Sequence, residues 1–524
     1  MKKKIFFLGI CILLISIGTL LLSTTITSSL NPYNVANKNS KSSLNELPRM
    51  AQDIAWNANG NPICMADEAQ SPIRIISDGA GGAIITWEDD RNTDTDIYAQ
   101  HIDSDGNVQW GSNGIEICTA DETQDKPEIC SDGAGGAIIT WEDRRNGIFD
   151  IYAQHINSNG VVQWGSNGIA ICTADEIQSY PKICSDGAGG AIITWEDERD
   201  DPYADDIYAQ HINSNGVVQW GSNGIVICDA DDDQWYPIIC SDGAGGAIIT
   251  WQDRRNGNFD IYAQYINQNG IIQWIEDGRP ICTDTQGQYS PKICSDGAGG
   301  AIIAWEDLRN GNYDIYVQQI DSNGQLQWMN NGIGICTATG SQDSQKLCSD
   351  GAGGAIITWE DYRDVDNDVY AQRISSDGQL EWVVNGVAIC TATDTQGYPD
   401  ICSDGAGGAV ICWNDYRSGD NWDSYAQHIN SSGSAQWVSN GLGICTLDED
   451  QGDAVLSSDG EGNIIIAWID RRNGDDWDVY AQKITVPIPD SSINGYSVYF
   501  LSLSICIIVL IFTIRVRRKN KLIN

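Results

Sequence analysis

A stretch of thirteen residues, SDGAGGAIITWED at residues 77–89, recurs along the chain and constrains its fold more than any other feature. Near copies begin at residues 131, 185, 241, 295 and 349, and looser copies begin at residues 403 and 458. Successive copies lie 54 to 56 residues apart. A repeat of this length indicates supersecondary units that bury their apolar faces against one another. The eight units therefore predict one repeat architecture rather than several independent domains.

Each unit contains four short extended segments. In the second unit these are residues 128–131, 137–142, 150–156 and 161–164, and the last either stops there or continues to residue 171. Turns rich in Gly and Asn separate the segments, which predicts antiparallel hairpins. Strands that are apolar on both faces need cover on both sides, and the radially packed blades of a propeller provide it.

The two ends of the repeat region complete each other. The eighth unit stops after its third strand, and the missing piece stands at the other end, where WNANGNPIC (56–64) matches WGSNGIEIC (110–118) in spacing. An open stack would need capped ends instead of a divided unit. The sequence therefore predicts an all-β fold, a closed eight-bladed β-propeller of four-stranded antiparallel blades over residues 50–486, with hydrophobic helices at the termini.

The segments outside the ring predict a membrane-anchored surface protein. Residues 1–30 combine three lysines with an apolar run, which is typical of a signal peptide or an N-terminal anchor helix. Residues 31–49 are polar and predict a disordered leader. Residues 487–495 form a short stalk, 496–514 an apolar transmembrane helix, and 515–524 a basic cytoplasmic tail. The predicted location is a single-pass cell-membrane protein with an extracellular propeller.

The chain is strongly acidic, with a net charge of -42. Such a surface repels nucleic acid and favours cations or basic protein partners. Solubility alone is the alternative reading of the same charge.

Three short patterns recur in every unit, and we interpret them as structural. In the second unit they are Trp141, Asp143 and Arg145; Asp150, Tyr152 and Gln154; and Gln124. The Trp is expected to pack between blades, the Arg to pair with a recurrent Asp, and Gln124 to satisfy backbone groups in the connection between blades. A ring of eight ligand sites is the alternative.

The cysteines also follow the repeat. In an exported chain, regular Cys pairs predict disulfides, whereas burial as small apolar side chains is the alternative. The chain has no CxxC motif, so zinc is not predicted. The predicted pairs, twelve residues apart, are Cys118–Cys130, Cys172–Cys184, Cys228–Cys240, Cys282–Cys294, Cys336–Cys348 and Cys390–Cys402.

Residues that vary between units are expected on one face of the ring. In a propeller the loops between second and third strands emerge beside the connections between blades, and here both are acidic and aromatic. Exposed rings beside carboxylates stack on sugars or hold cations, unless they merely cover neighbouring loops. The candidate ligand-binding residues are Trp235, Tyr236, Tyr313, Trp422, Trp477, Asp94, Asp96 and Asp205. The segment DVDND (364–368) weakly resembles a calcium loop but lacks its full ligand spacing, so the metal is left unknown, with calcium as an alternative.

The unit DGxGGxIxxWxDxR…DIYxQxIxxxGxxxW resembles the repeat of bacterial and archaeal surface proteins with sialidase-like β-propellers. The segment SDGNVQW (104–110) resembles a shortened Asp-box hairpin, although its spacing differs and it lacks the Thr. The end of the chain looks like the C-terminal anchors of archaeal surface proteins. True sialidases imply a catalytic set of three Arg, a Tyr/Glu pair and an Asp, which cannot be placed here because every Arg that could serve is a repeated one.

These features together predict a binding or adhesion module without enzymatic activity or cofactor. The expected ligands are a glycan, a cation or a basic protein, and the membrane is the expected partner of the C-terminal helix. A structural surface-layer component and a sialidase-type glycan hydrolase are the alternatives.

Overall fold

The computed structural model describes residues 54–486, apart from residues 202, 203 and 475. The predicted signal peptide or anchor (1–30), leader (31–49), stalk (487–495), transmembrane helix (496–514) and basic tail (515–524) lie outside the described residues. Within the described part, no helix is long and apolar enough to cross a membrane.

The described residues form strands joined by turns. In chain order the strands are β1 (Asn61–Cys64), β2 (Gln70–Ser77), β3 (Ala83–Asp89), β4 (Asp96–Ile102), β5 (Ile115–Cys118), β6 (Gln124–Ser131), β7 (Ala137–Asp143), β8 (Asp150–Ile156), β9 (Ile169–Cys172), β10 (Gln178–Ser185), β11 (Ala191–Asp201), β12 (Ala204–Ile212), β13 (Ile225–Cys228), β14 (Gln234–Ser241), β15 (Ala247–Asp253), β16 (Asp260–Ile266), β17 (Arg279–Cys282), β18 (Gln288–Ser295), β19 (Ala301–Asp307), β20 (Asp314–Ile320), β21 (Ile333–Cys336), β22 (Gln342–Ser349), β23 (Ala355–Asp361), β24 (Asp368–Ile374), β25 (Val387–Cys390), β26 (Gln396–Ser403), β27 (Ala409–Asp415), β28 (Asp423–Ile429), β29 (Leu442–Cys445), β30 (Gln451–Ser458), β31 (Ile464–Asp470) and β32 (Asp478–Ile484).

The strands between residues 54 and 486 pair into eight four-stranded antiparallel sheets, which are the blades of a closed propeller. Blade 1 is β2–β5, and each later blade takes the next four strands. Blade 8 joins β30, β31 and β32 to β1, whose Asn61 pairs with Ala481. The predicted closure of the ring by the N-terminal strand is therefore confirmed.

The fourth strand of each blade lies later than the segment 161–164 suggested. In blade 2 it is β9, and of that segment only Val162 makes a bridge, to Ile156. The side-chain amide of Gln154 donates to the carbonyl oxygen of Gly165 at 2.6 Å and ties this stretch into a turn. The extension toward residue 171 is thus the part that forms the ladder, with Cys172 paired to Ile151.

The core lies between blades, as the recurrent Trp predicted. Trp195 of blade 3, for example, packs with Ile151, Ile171 and Cys172 of blade 2 and is fully buried. Burying one Trp stabilises the fold by about 4–6 kcal/mol by area. The fully buried members of this ring are Trp87, Trp141, Trp195, Trp251, Trp305, Trp359, Trp413 and Trp468.

Candidate functional site

The loops between second and third strands and the connections between blades meet on one side of the ring, here called the loop face. The backbone N–H of Arg144, after β7, donates to the carbonyl oxygen of Thr123, in the connection before β6. The N–H of Gln178 likewise donates to the carbonyl oxygen of Phe149. The predicted common face for these two sets of loops is confirmed.

The recurrent Trp, Asp and Arg form one buried network at this face. In blade 2, the indole N–H of Trp141 donates to Asp143 Oδ2 at 2.7 Å, and Arg145 Nε donates to Asp143 Oδ1 at 2.7 Å. Arg145 also contacts Cys118 Sγ of blade 1 at 3.1 Å and lies over the ring of Tyr152. The predicted Arg–Asp pair is confirmed, and it leaves this Arg occupied within the framework.

The recurrent Gln has the predicted role as well. Gln124 Nε2 donates to the carbonyl oxygens of Ala120 and Glu122 at 3.2 and 2.7 Å, within the connection between blades. The recurrent Trp, Asp, Arg and Gln therefore have structural roles in the described blades.

The predicted disulfides are wrong. The fifteen cysteines between residues 64 and 445 are free thiols in this structure. A spacing of twelve residues joins the outermost strand of one blade to the innermost strand of the next, as Cys118 on β5 and Cys130 on β6 show. Three strand spacings of about 4.8 Å already exceed the ~7 Å limit between bridged Cα atoms. The correction applies equally to Cys118–Cys130, Cys172–Cys184, Cys228–Cys240, Cys282–Cys294, Cys336–Cys348 and Cys390–Cys402.

The structure divides the predicted ligand-binding residues among several places on the loop face. Trp235 and Tyr313 are the ends of an aromatic row that continues through Phe259 and Tyr289, with ring centroids 5.2 to 5.9 Å apart. The indole N–H of Trp235 donates to Asp205 at 2.6 Å. These rings support one another and are half-buried.

The other predicted residues lie apart from that row. Trp422 packs on Tyr416 at 5.1 Å, and Trp477 lies 4.1 Å from the guanidinium of Arg471. Asp96 is buried and accepts a 2.6 Å hydrogen bond from Asn92, and burial raises its pKa. Asp94 is exposed. No group of three or more His, Cys, Asp or Glu side chains that could hold a metal ion occurs in the part of the chain that the structure describes.

Tyr236 belongs to a different feature, the mouth of the central channel. It occupies the second position after the recurrent Gln on the innermost strand, together with Tyr180 and Tyr398. The three rings are 49 %, 39 % and 65 % exposed, and those of Tyr180 and Tyr236 meet edge to face at 5.8 Å. We call these three residues the tyrosine mouth.

The backbone of the tyrosine mouth is held in a strained, fixed shape. Tyr180, Tyr236 and Tyr398 have φ of 51°, 55° and 54°, in the left-handed region that non-Gly residues rarely adopt. A glutamate carboxyl group from the preceding blade accepts each N–H: Glu196 Oε1, for example, lies 2.6 Å from the backbone nitrogen of Tyr236. Burial raises the pKa of Glu196 to about 8. The mouth is therefore preorganised by the fold.

Below the mouth, the channel carries most of the lysines of this acidic ring. Four of the five lysines between residues 54 and 486 line its cavities, namely Lys126, Lys182, Lys292 and Lys346. Arg74 joins them, and its position is four residues after the recurrent Gln, the same as that of the last three lysines. This channel was not predicted from the sequence. The sequence does contain an indication of it: lysine is rare in the ring, and four of its lysines stand either two or four residues after the recurrent Gln.

Part of the channel charge is paired across blades. Glu128 Oε1 accepts a hydrogen bond from Arg74 at 3.1 Å and another from Lys182 Nζ. Burial alone would raise the pKa of Glu128, but these two cations lower it to about 2. The three side chains come from blades 2, 1 and 3, so this pairing links neighbouring inner strands.

No protein-family model matches the chain, and no curated protein matches it. Among solved structures, it is similar to polysaccharide lyase Uly1, with a TM-score of 0.44 and 10 % identity over 82 % of this chain and 92 % of that one. It is also similar to a protein of unknown function from Dyadobacter fermentans DSM 18053, with a TM-score of 0.39 and 6 % identity over 82 % and 99 %. An ulvan lyase of family PL25 gives a TM-score of 0.40 and 11 % identity over 82 % and 94 %. These are distant likenesses of fold, and the resemblance to sialidase-like repeats stays a prediction.

Proposed function

We propose that the protein is a binding module of the cell surface whose ligand, a glycan, docks on the loop face at the tyrosine mouth. The observation that carries the proposal is the exposure of Tyr236 and Tyr398 on a backbone fixed by buried glutamate side chains. Exposed aromatic rings present an apolar face and a polar edge, which suits sugars. Rings that are already in place lose little entropy when a ligand stacks on them.

The surface location is part of the same proposal. It rests on the apolar segments at residues 1–30 and 496–514 of the sequence. A propeller held close to a membrane would present one of its faces outward, and an adhesion or recognition role fits that placement.

The glutamates nearest the tyrosine mouth are held in contacts within the protein, which favours binding over hydrolysis. Glu142 and Glu196 each accept the backbone N–H of a mouth tyrosine, at 2.5 and 2.6 Å. Glu128 is paired with two cations. Glycoside hydrolysis requires two carboxyl groups available to the scissile bond, and these three are engaged elsewhere.

A glycan-array screen of the purified protein tests the proposal, followed by titration of Tyr236→Ala and Tyr398→Ala against any glycan bound. Loss of one stacked ring is expected to weaken binding about five- to thirty-fold, equivalent to about 1–2 kcal/mol. Trp477→Ala is the control variant, because Trp477 lies on the loop face outside the tyrosine mouth. It should leave the affinity unchanged if the glycan binds at the mouth. Product analysis of the same mixtures detects hydrolysis, and hydrolysis or the absence of any glycan ligand would refute the proposal.

A further inference from the structure

The lysines of the channel differ in how they are paired. Lys126 Nζ lies 3.0 Å from Glu142 and 3.8 Å from the ring centre of Tyr180. Lys182 bonds to Glu128. Lys292 and Lys346 have no carboxylate within 4.0 Å among the residues the structure describes, and Lys292 donates only to the carbonyl oxygen of Pro291, at 3.4 Å.

These two lysines face the same space. They occupy equivalent positions on the innermost strands of the neighbouring blades 5 and 6, since Lys292 pairs with Ala304 and Lys346 with Thr358. Both line a cavity of about 510 Å³ in the channel. Burial and the neighbouring Lys346 lower the pKa of Lys292 to about 8. Lys292 is half-buried and Lys346 is exposed to the channel. Two ammonium groups that line one cavity and repel each other favour a bound anion between them.

Three acidic side chains line this cavity, those of Glu306, Asp400 and Asp453, and the first two accept backbone N–H groups. Burial raises the pKa of Asp453. Glu306 Oε1 accepts the backbone N–H of Ser344 at 3.0 Å, and burial raises its pKa to about 7. Asp400 Oδ2 accepts the backbone N–H of Leu456 at 3.2 Å. The cavity therefore offers two cations whose charge its own carboxylates leave uncompensated at short range.

We infer that Lys292 and Lys346 form an oxyanion site in the channel, which binds a sulfate, phosphate or carboxylate group. A free inorganic ion can occupy this site without any sugar, and in that case the inference goes beyond the proposed function. Where the group is carried by an acidic glycan that enters past the tyrosine mouth, the inference rests on the proposed function and names its ligand class. Lysine is a point-charge donor that suits such groups without imposing a planar geometry.

The chain itself supplies mild substitutions for the test. Ile238 and Val455 stand at the equivalent position in blades 4 and 8, so the ring accommodates apolar side chains there. We therefore choose Lys292→Ile and Lys346→Val, with Lys292→Arg and Lys346→Arg as variants that keep the charge. Lys126→Met is the matched control, because this channel lysine already has a carboxylate partner.

The probe is sodium sulfate, titrated calorimetrically into the full chain at constant ionic strength set with chloride, and then sodium phosphate. We expect saturable binding that Lys292→Ile and Lys346→Val each weaken at least about tenfold, equivalent to about 1.4 kcal/mol. The Arg variants should retain affinity within a few-fold, and Lys126→Met within about twofold. Unchanged affinity in the Ile/Val double variant would overturn the site, as would an equal loss in Lys126→Met.

Competition identifies the source of the anion and separates the two proposals. Displacement of sulfate by a sulfated or uronic oligosaccharide, but not by its neutral counterpart, supports an acidic glycan, whereas binding of the inorganic ions alone supports a free-ion site. Tyr236→Ala should reduce glycan binding and leave sulfate affinity unchanged. Sulfate binding without any glycan binding would refute the proposed function and support this inference.

Discussion

The buried carboxyl group of Glu196, behind Tyr236, leads to a quantitative prediction about pH. Glu196 is 5 % exposed, and burial raises its pKa from 4.5 to about 8. Between those values the folded protein holds a proton that the unfolded chain has released, so stability falls as the pH rises through this window. The two pKa values differ by an amount equivalent to about 5 kcal/mol at most. Unfolding about 430 residues carries an entropy near 0.9 kcal/mol per kelvin, so the melting temperature would change by about 5 °C.

The substitution that tests this is Glu196→Gln, because glutamine cannot ionise and still accepts the N–H of Tyr236. The equivalent residue of blade 4 is already Gln252, whose Oε1 accepts the N–H of Ser290 at 3.1 Å. Melting followed by circular dichroism should show Glu196→Gln gaining about 5 °C on the wild type between pH 5 and pH 9. The reciprocal Gln252→Glu should become less stable as the pH rises. An equal difference between Glu196→Gln and wild type at both pH values would refute the reasoning.

Three further outcomes follow from the framework. Arg145→Met leaves the carboxylate of Asp143 buried without its partner and should lower the free energy of unfolding by about 3–5 kcal/mol in denaturant titrations. The neighbouring Arg144→Met is the control and should lower it by less than about 0.5 kcal/mol. Similar losses in the two variants would contradict the pairing. Deleting residues 54–64 removes the outer strand of blade 8 and should lower the melting temperature sharply, and an unchanged transition would count against closure. Alkylation of the protein unfolded without reductant should modify all fifteen cysteines between residues 64 and 445, and protected thiols would restore the disulfide prediction.

The sequence predicted the ring because repetition carries information about packing. Eight copies of one apolar pattern, the last of them divided between the two ends of the repeat region, predict the number of blades and the closure of the ring. The roles of Trp141, Arg145 and Gln124 followed from the same repetition, since a residue needed at every blade interface must recur.

The disulfide prediction failed because linear spacing does not report radial position. Cys118 and Cys130 are close in the chain, but the connection between them crosses from the rim of one blade to the axis of the next. The recurrence of Cys118 and its equivalents has another physical reason. Cys118 is fully buried and contacts the guanidinium of Arg145, so a small polarizable side chain is needed there.

The channel was missed because its chemistry lies in residues that do not repeat. The position four residues after the recurrent Gln holds Arg74, Glu128 and Lys292 in different blades, and only the closed ring brings them around one axis. The first strand was also expected to begin at residue 128, whereas β6 begins at Gln124. The position two residues after the recurrent Gln, which holds Lys126 and the mouth tyrosines, therefore lay outside the predicted sheet. Charge composition could have located them, since lysine is scarce elsewhere in the ring.

Charge is distributed unevenly between the loops and the central channel of the ring. The loops at the rim carry acidic residues such as Asp94, which repel anions at a distance, whereas Lys292 and Lys346 attract them only within the channel. An anion that enters the channel meets two lysines that line one cavity there. A site with one ligand on an eightfold framework has to depart from the repeat at the axis, and the unpaired lysines of blades 5 and 6 are such a departure.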